Sequence, residues 1–157
     1  MGKGVIDKLK AEFKDAIKLE APRKFRLTVV VDKENLEKVA GYLRDELKFD
    51  RVVSVSGIHL PREGSFEIVY HLSARKGGNI VALKTKVPVE KPMLPSLTPL
   101  FASANWHERE THEMLGVVFK AHPDLGRLLL QEDWEEGYPL RRDFSLSKYI
   151  DREGSPP

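Results

Sequence analysis

The sequence predicts an α+β domain: a largely antiparallel four-stranded sheet packed by helices, followed by a proline-rich connection, a charged helix and an extended C-terminal segment. Three observations predict it. Apolar residues recur at helical spacing in two early stretches, and they alternate with polar residues in later ones. Pro88, Pro92, Pro95 and Pro99 then fall within twelve residues, which forbids regular helix or a central strand and gives a stiff extended connection.

Val5, Ile6, Leu9, Phe13 and Ile17 repeat at helical spacing, so residues 4 to 19 read as an amphipathic helix ending before Pro22. Phe25, Leu27, Val29 and Val31 alternate as a first strand. Asp32 is a suitable N-cap for a second helix, whose Leu36, Val39, Ala40, Leu43 and Leu47 form one apolar stripe. Val53 and Val55 lie in a second strand that runs to Leu60. Residues 61 to 64, ProArgGluGly, form a turn into Phe66, Ile68, Tyr70 and Leu72, which alternate strictly. Gly77 and Gly78 close the next hairpin, and a fourth strand covers about residues 79 to 87. His71 shares a face with Glu67 and Ser73 and reads as solvent-facing or structural. Beyond the prolines, Thr98 can start a helix, and the helical stretch from Asn105 to Leu115 stops at Gly116 in a C′ position. Gly126, Gly137 and Pro139 leave little regular structure after it. The resulting division is a scaffold over 1–87, a second segment of the same domain over 88–144, and a tail over 145–157.

With 157 residues the chain is one domain, large enough to bury roughly two-thirds of its unfolded surface without staples. Charged residues make up 32% and apolar ones 41%, a globular balance, and a net charge of +2 disfavours a nucleic acid or other polyanion as partner. No cysteine is present, so the chain cannot itself hold an iron–sulfur cluster or a thiolate zinc site. No apolar run approaches the roughly 18 residues needed to cross a bilayer, and the start lacks a signal-peptide core, so a cytosolic chain is expected. Three Asn and one Gln among many Lys, Arg and Glu fit a thermophile composition.

Chemistry concentrates in residues 104 to 144. There Glu108, Arg109, Glu110 and Glu113 alternate with Trp106, Met114, Leu115 and Phe119, and further on Trp134 and Phe144 accompany Arg141, Arg142 and Asp143. A core helix tolerates such charges only when they are paired, and a solvated face needs no such apolar residues, so the segment reads as an interface or a site. HisGluArgGluThrHis at 107 to 112 looks like a zinc-protease helix, but its histidines are five residues apart, which separates them by about 140° around the helix axis. Glu108 and His112, four apart, do share a face; with His122 they define the different-class alternative, a free-standing Glu/His metal-dependent enzyme. HisProAsp at 122 to 124 reads as a turn, with Pro123 fixing φ and Asp124 capping the backbone that follows. Arg109 and Glu113 are four apart and can pair. Arg127, Arg141 and Arg142 offer bidentate partners to Glu108, Glu110 or carboxylates of another chain.

The ordered set AsnTrpHisGluArgGlu, Glu113MetLeuGly, Phe119, His122ProAspLeu, Arg127, Gly137 and Pro139LeuArgArgAspPhe resembles the small hydrophilic subunit of respiratory complex I. That 30 kDa subunit family includes the corresponding subunit of membrane-bound, energy-converting [NiFe] hydrogenases and their sulfur-reducing relatives. Glu108, Arg109, Glu110, Gly116, Phe119, His122, Pro123, Arg127, Pro139, Arg141, Asp143 and Phe144 match the family pattern directly. The family usually has Asp at Glu113, a basic residue at Gly126, His at Tyr138, Lys at Arg142 and Pro at Ser145. These departures loosen assignment to the NADH-oxidising branch.

The resemblance implies a subunit without cofactor or catalytic residues of its own, in the peripheral arm of an ion-pumping redox complex on the cytoplasmic face of the cell membrane. It would pack beside the hydrogenase-like large subunit and a neighbouring iron–sulfur subunit, which would hold the [NiFe] or iron–sulfur groups, and would meet the membrane only through the complex. Length, tail and composition lean towards an archaeal hydrogenase-type or sulfur-reducing complex, with quinone-reducing complex I proper as the alternative. The residues expected to dock the chain or brace it are Trp106, Glu108, Arg109, Glu110, Glu113, His122, Asp124, Arg127, Trp134, Arg141, Arg142, Asp143 and Phe144.

Overall fold

A computed structural model describes residues 3–20, 26–75 and 78–145. Its elements are α1 (Lys3–Phe13), β1 (Ile17–Leu19), β2 (Arg26–Val31), α2 (Leu36–Asp45), β3 (Arg51–Leu60), β4 (Ser65–Ser73), β5 (Ile80–Pro88), β6 (Met93–Pro95), α3 (Ala104–Leu115) and β7 (Val118–Lys120). The expected α+β class is observed, with a main sheet of five strands in the order β1-β2-β5-β4-β3. Every pairing in it is antiparallel except β2 with β5.

The fifth strand corrects the reading of residues 4 to 19 as one helix. The helix ends at Phe13, Lys14 takes a positive φ of 42°, and Ile17–Leu19 pairs with Val29–Val31. Helical and strand spacings both place Ile17 on the inward side, so periodicity alone could not separate them. Phe25 and Gly77 lie outside the described residues, as does the tail from residue 146.

Residues that alternate in sequence meet on one face of the sheet. The register sets Leu27 beside Val81, Val81 beside Leu72 and Leu72 beside Val52, and likewise aligns Val29, Leu83, Tyr70 and Val55. These inward residues form one cluster with Leu9 of α1, with Leu36, Val39, Ala40 and Leu43 of α2, and with Ala104 and Leu115 of α3. The expected α2 stripe is therefore the buried one. Asp32 caps a short 3₁₀ turn that precedes α2 by position only, since its side chain makes no capping hydrogen bond.

Gly57 explains how α3 can lie directly on β3. A Cβ there would sit 2.2 Å from Leu115 Cδ1 and 3.1 Å from Thr111 Cγ2, so the glycine is the space the helix occupies.

The proline-rich connection is extended as expected, and three of its residues form β6. Met93, Leu94 and Pro95 pair in parallel with Val118, Phe119 and Lys120, so the strands on either side of α3 join in a small second sheet. Leu94, Leu97 and Phe119 are almost completely buried and tie that sheet into the common core. Thr98 does not start a helix. Leu97 to Leu100 form a turn, and α3 begins at Ala104.

Candidate functional site

α3 is charged and yet central, because most of its charges turn inward or along its own flanks. Glu108 is fully buried. Tyr70 Oη donates to Glu108 Oε1 at 2.9 Å and Leu97 N donates to the same oxygen at 2.8 Å. Ser96 Oγ and Thr98 Oγ1 donate to Oε2 at 2.5 and 3.3 Å. Four donors aimed at one acceptor-only group suit an ionised carboxylate. Burial nonetheless pushes its pKa up, and the Ser96, Leu97 and Tyr70 hydrogen bonds, with the nearby His122, only partly oppose that. Glu108 thus fastens α3 to β4 and to the end of the proline-rich connection. Sequence reasoning missed Tyr70, Ser96 and Thr98 as its partners. Tyr70 carried a signal, since a tyrosine at an inward strand position needs a partner for its hydroxyl.

Glu113 fastens the other side. Its Oε1 accepts from Leu128 N at 3.1 Å and Leu130 N at 3.0 Å, and its Oε2 from Leu129 N at 2.7 Å. Burial pushes the carboxyl up, but these three backbone donors and the charge of Arg127 outweigh it and hold the pKa below the ordinary value. A depressed carboxyl stabilises the fold above its unfolded pKa, and that stability disappears as pH falls through the folded one. Glu113→Gln is therefore expected to lower stability at neutral pH and to flatten the loss of stability between about pH 5 and 3. Urea midpoints measured across that range test this; parallel acid limbs for the two proteins would show that Glu113 is not the group responsible.

The expected pairing of Arg109 with Glu113 does not form, because both side chains bind the segment wrapped around the helix. Arg109 meets Asp124 at 3.3 Å, donates to the carbonyls of Gly126 and Arg127 at 3.3 and 2.7 Å, and lies 5.1 Å over the Trp106 ring. Arg127 reaches neither Glu108 nor Glu110 by hydrogen bond; its guanidinium donates to the carbonyls of Gln131, at 2.8 Å, and Trp134. His122 Nε2 donates to the Asn105 carbonyl at 3.2 Å while Nδ1 accepts from Asp124 N at 3.0 Å, and Asp124 Oδ1 in turn accepts from Gly126 N, as the capping reading expected.

Gly116 ends α3 with a φ of 76°. Arg141 Nε donates to the carbonyl of Leu115 at 2.7 Å, and its guanidinium lies 4.2 Å from the Tyr138 ring centre and 5.1 Å from that of Phe66. Leu140 N donates to Met114 O, and Arg142 N donates to His59 Nδ1 at 3.1 Å, with Asp143 Oδ1 3.7 Å from the same nitrogen. The Trp134 and Phe144 ring centres lie 6.3 Å apart, and Trp134 Nε1 donates to Gly137 O. The segment from Asp133 to Phe144 is free of helix and strand and lies against the end of α3 and the end of β3. Two charged groups of the signature have no side-chain hydrogen bond or ion pair among the described residues, Glu110 and the Arg142 guanidinium. In the same segment Trp106, Leu129 and Leu140 are 60, 61 and 61% exposed.

The residues of the metal-enzyme alternative form no metal-binding group among the described residues. Glu108 is enclosed by its four donors, His112 Nδ1 donates to Val117 O at 2.8 Å, and both nitrogens of His122 are engaged. Among the described residues no group of three His, Cys, Asp or Glu could hold a metal ion, and no helix is long and apolar enough to cross a membrane.

Comparison with known proteins gives the same residues a family. The chain is 43% identical over 145 residues to an NADH-quinone oxidoreductase subunit of Roseiflexus sp., covering 90% of this chain and 83% of that one. It is 36% identical over 143 residues to an F(420)H(2) dehydrogenase subunit of Methanosarcina mazei, covering 89% of each. Its fold matches a chain in the structure of the membrane-bound sulfane sulfur reductase, an archaeal respiratory membrane complex, with a TM-score of 0.79 at 22% identity over 98% of this chain and 91% of that one. A second match is the trypsin-resistant fragment 1–134 of Nqo5, with a TM-score of 0.67 at 28% identity, covering 78% of this chain and 98% of the fragment. The family model of the respiratory-chain NADH dehydrogenase 30 kDa subunit matches residues 29–150, which include both the sheet and the signature segment, and the chain belongs to that family.

Proposed function

We propose that this chain is an accessory subunit, without a cofactor of its own, in the peripheral arm of a membrane-bound, ion-pumping redox complex. It braces the hydrogenase-like large subunit and a neighbouring iron–sulfur subunit on the cytoplasmic face, and those partners hold the redox groups. The observation that carries the reading is the outer side of the signature segment. In that segment Trp106, Leu129 and Leu140 are exposed, and Glu110 and the Arg142 guanidinium have no side-chain partner among the described residues, while Glu108, Arg109, Glu113, Arg127 and Arg141 are satisfied within the chain. Large apolar side chains with a few charges that have no internal partner are what a docking surface needs. The five satisfied residues then set the shape of that surface, and Glu110 and Arg142 meet the partner.

Sequence identity draws the finer assignment towards a quinone- or F(420)H(2)-linked complex, since the relatives at 43 and 36% identity are subunits of those enzymes. The hydrogenase-type or sulfur-reducing assignment keeps composition and a shared fold behind it.

Affinity purification of the tagged chain from gently solubilised membranes tests the proposal. The expected result is recovery of a large subunit and iron–sulfur chains in fixed ratio to this one, with the iron in the complex and none following this chain when it is dissociated. Recovery of the chain alone from the soluble fraction, with no membrane complex containing it, would sink the reading.

A further inference from the structure

The two edges of the main sheet are built differently. β1 has three residues, its central Lys18 is exposed, and Lys14, Asp15 and Glu20 flank it, which is how proteins keep an edge from pairing with another chain. β3, at the opposite edge, has ten residues. From Val52 to Leu60 it contains neither proline nor a Lys, Arg, Asp or Glu, and its one irregularity lies at its start, between Val52 and Ser54. Val52 N is covered by Ser103 Oγ, and past that point no other strand pairs with β3 on its outer side among the described residues. An edge strand turns alternate N–H and C=O groups outward, so this edge presents a row of backbone donors and acceptors that only another extended backbone matches.

A groove of about 240 Å³ runs beside it, lined by Val55, Gly57, Met114, Leu115 and Leu140, with Glu110 as its charged member. On the edge itself Val53 and Ile58 are 46 and 41% exposed. Glu110 has no internal partner among the described residues.

We infer that the free edge of β3 takes up an extended strand of a partner chain, apolar at alternate positions and carrying a basic side chain that meets Glu110. This rests on the subunit reading above and names how the partner binds. Strand addition supplies affinity through the backbone and specificity through alternate side chains, and here the groove receives those facing α3. A second copy of this chain fits less well, because its own β3 has no Lys or Arg beyond Arg51 at its start to set against Glu110.

The test uses the intact complex, purified with a photo-cross-linking residue in place of Ile58, together with amide exchange of residues 54–60 in the complex and in the free chain. The expected result is a cross-link to one peptide of another subunit that contains Lys or Arg, and exchange slowed about a hundredfold at alternate amides of β3 in the complex. Glu110→Lys should abolish the cross-link and leave the melting temperature of the free chain unchanged. A cross-link to a second copy of this chain, or equal exchange of β3 in a complex that still holds the chain, overturns the strand while leaving the subunit reading intact. A chain that joins no membrane complex overturns both.

Discussion

Glu108→Ala is expected to be the most damaging single substitution in this chain, lowering the melting temperature by about 10 °C. The reason is the number of groups it strands. Tyr70 Oη, Ser96 Oγ and Leu97 N all end on the Glu108 carboxylate in a buried site, and of the three only Ser96 has another acceptor in reach, Thr98 Oγ1 at 2.9 Å. Each buried donor left unsatisfied costs about 1–3 kcal/mol, and the loss of a buried charged network typically totals about 3–5 kcal/mol. Glu108→Gln separates geometry from charge. One amide oxygen can still accept from Tyr70 and Leu97, while the amide NH₂ faces Ser96 and Thr98, whose hydroxyls can rotate to accept from it. That variant should lose about half as much stability. Its pH dependence should also change, because a carboxyl raised by burial holds its proton more tightly folded than unfolded, so the wild-type fold loses stability as pH rises from the unfolded pKa through the raised one. Glu108→Gln removes that slope. Thermal denaturation of the three proteins between about pH 4 and 8 would decide the matter; an Ala variant within about 2 °C of wild type would mean that the network is not holding α3 in place.

The scaffold was legible in the sequence because period-2 alternation over 66–72 and helical spacing over 36–47 have only one good reading. The stop of α3 was legible because Gly116 needs the left-handed conformation that it shows. Other features depended on contacts between distant segments. β1 is three residues long, shorter than any pattern can register, and is defined by its neighbour β2. The partners of the charged helix were misread for a related reason. Spacing of four along a helix brings Arg109 near Glu113 only if nothing better is offered, and the segment from Asp124 to Leu130 offers backbone carbonyls to one and backbone amides to the other. Such a wrap has no periodicity. The family motif marked its residues as important without saying that most of their partners are main-chain atoms of the same chain.

Gly116→Ala should be the second largest effect, and it should act through Arg141. A Cβ at this position would lie 2.4 Å from the Tyr138 ring and 2.6 Å from an Arg141 guanidinium nitrogen, and the backbone φ of 76° is itself unfavourable for alanine by about 1 kcal/mol. The ring and the guanidinium must move together, since they stack at 4.2 Å, and Arg141 then loses its hydrogen bond to the Leu115 carbonyl, which is one of the unpaired carbonyls at the end of α3. The expected cost is about 2–4 kcal/mol, or roughly 5–10 °C in melting temperature. Arg141→Ala alone should cost about 1–2 kcal/mol by removing the same hydrogen bond and the cation–π contact. The double variant is the decisive one. If Gly116 matters because it admits Arg141 and Tyr138, the two substitutions will be strongly non-additive, with the pair little worse than Gly116→Ala. Both should also release the segment from Tyr138 to Phe144, so that hydrogen exchange there accelerates while β4 and β5 stay protected, and the exposed surface formed by Leu140 and Arg142 loses its shape for a partner. Simple additivity, with unchanged exchange over residues 138–144, would mean that Gly116 serves only the backbone conformation and that the wrapped segment is held on by its other contacts, chiefly Leu140 N to Met114 O and Arg142 N to His59.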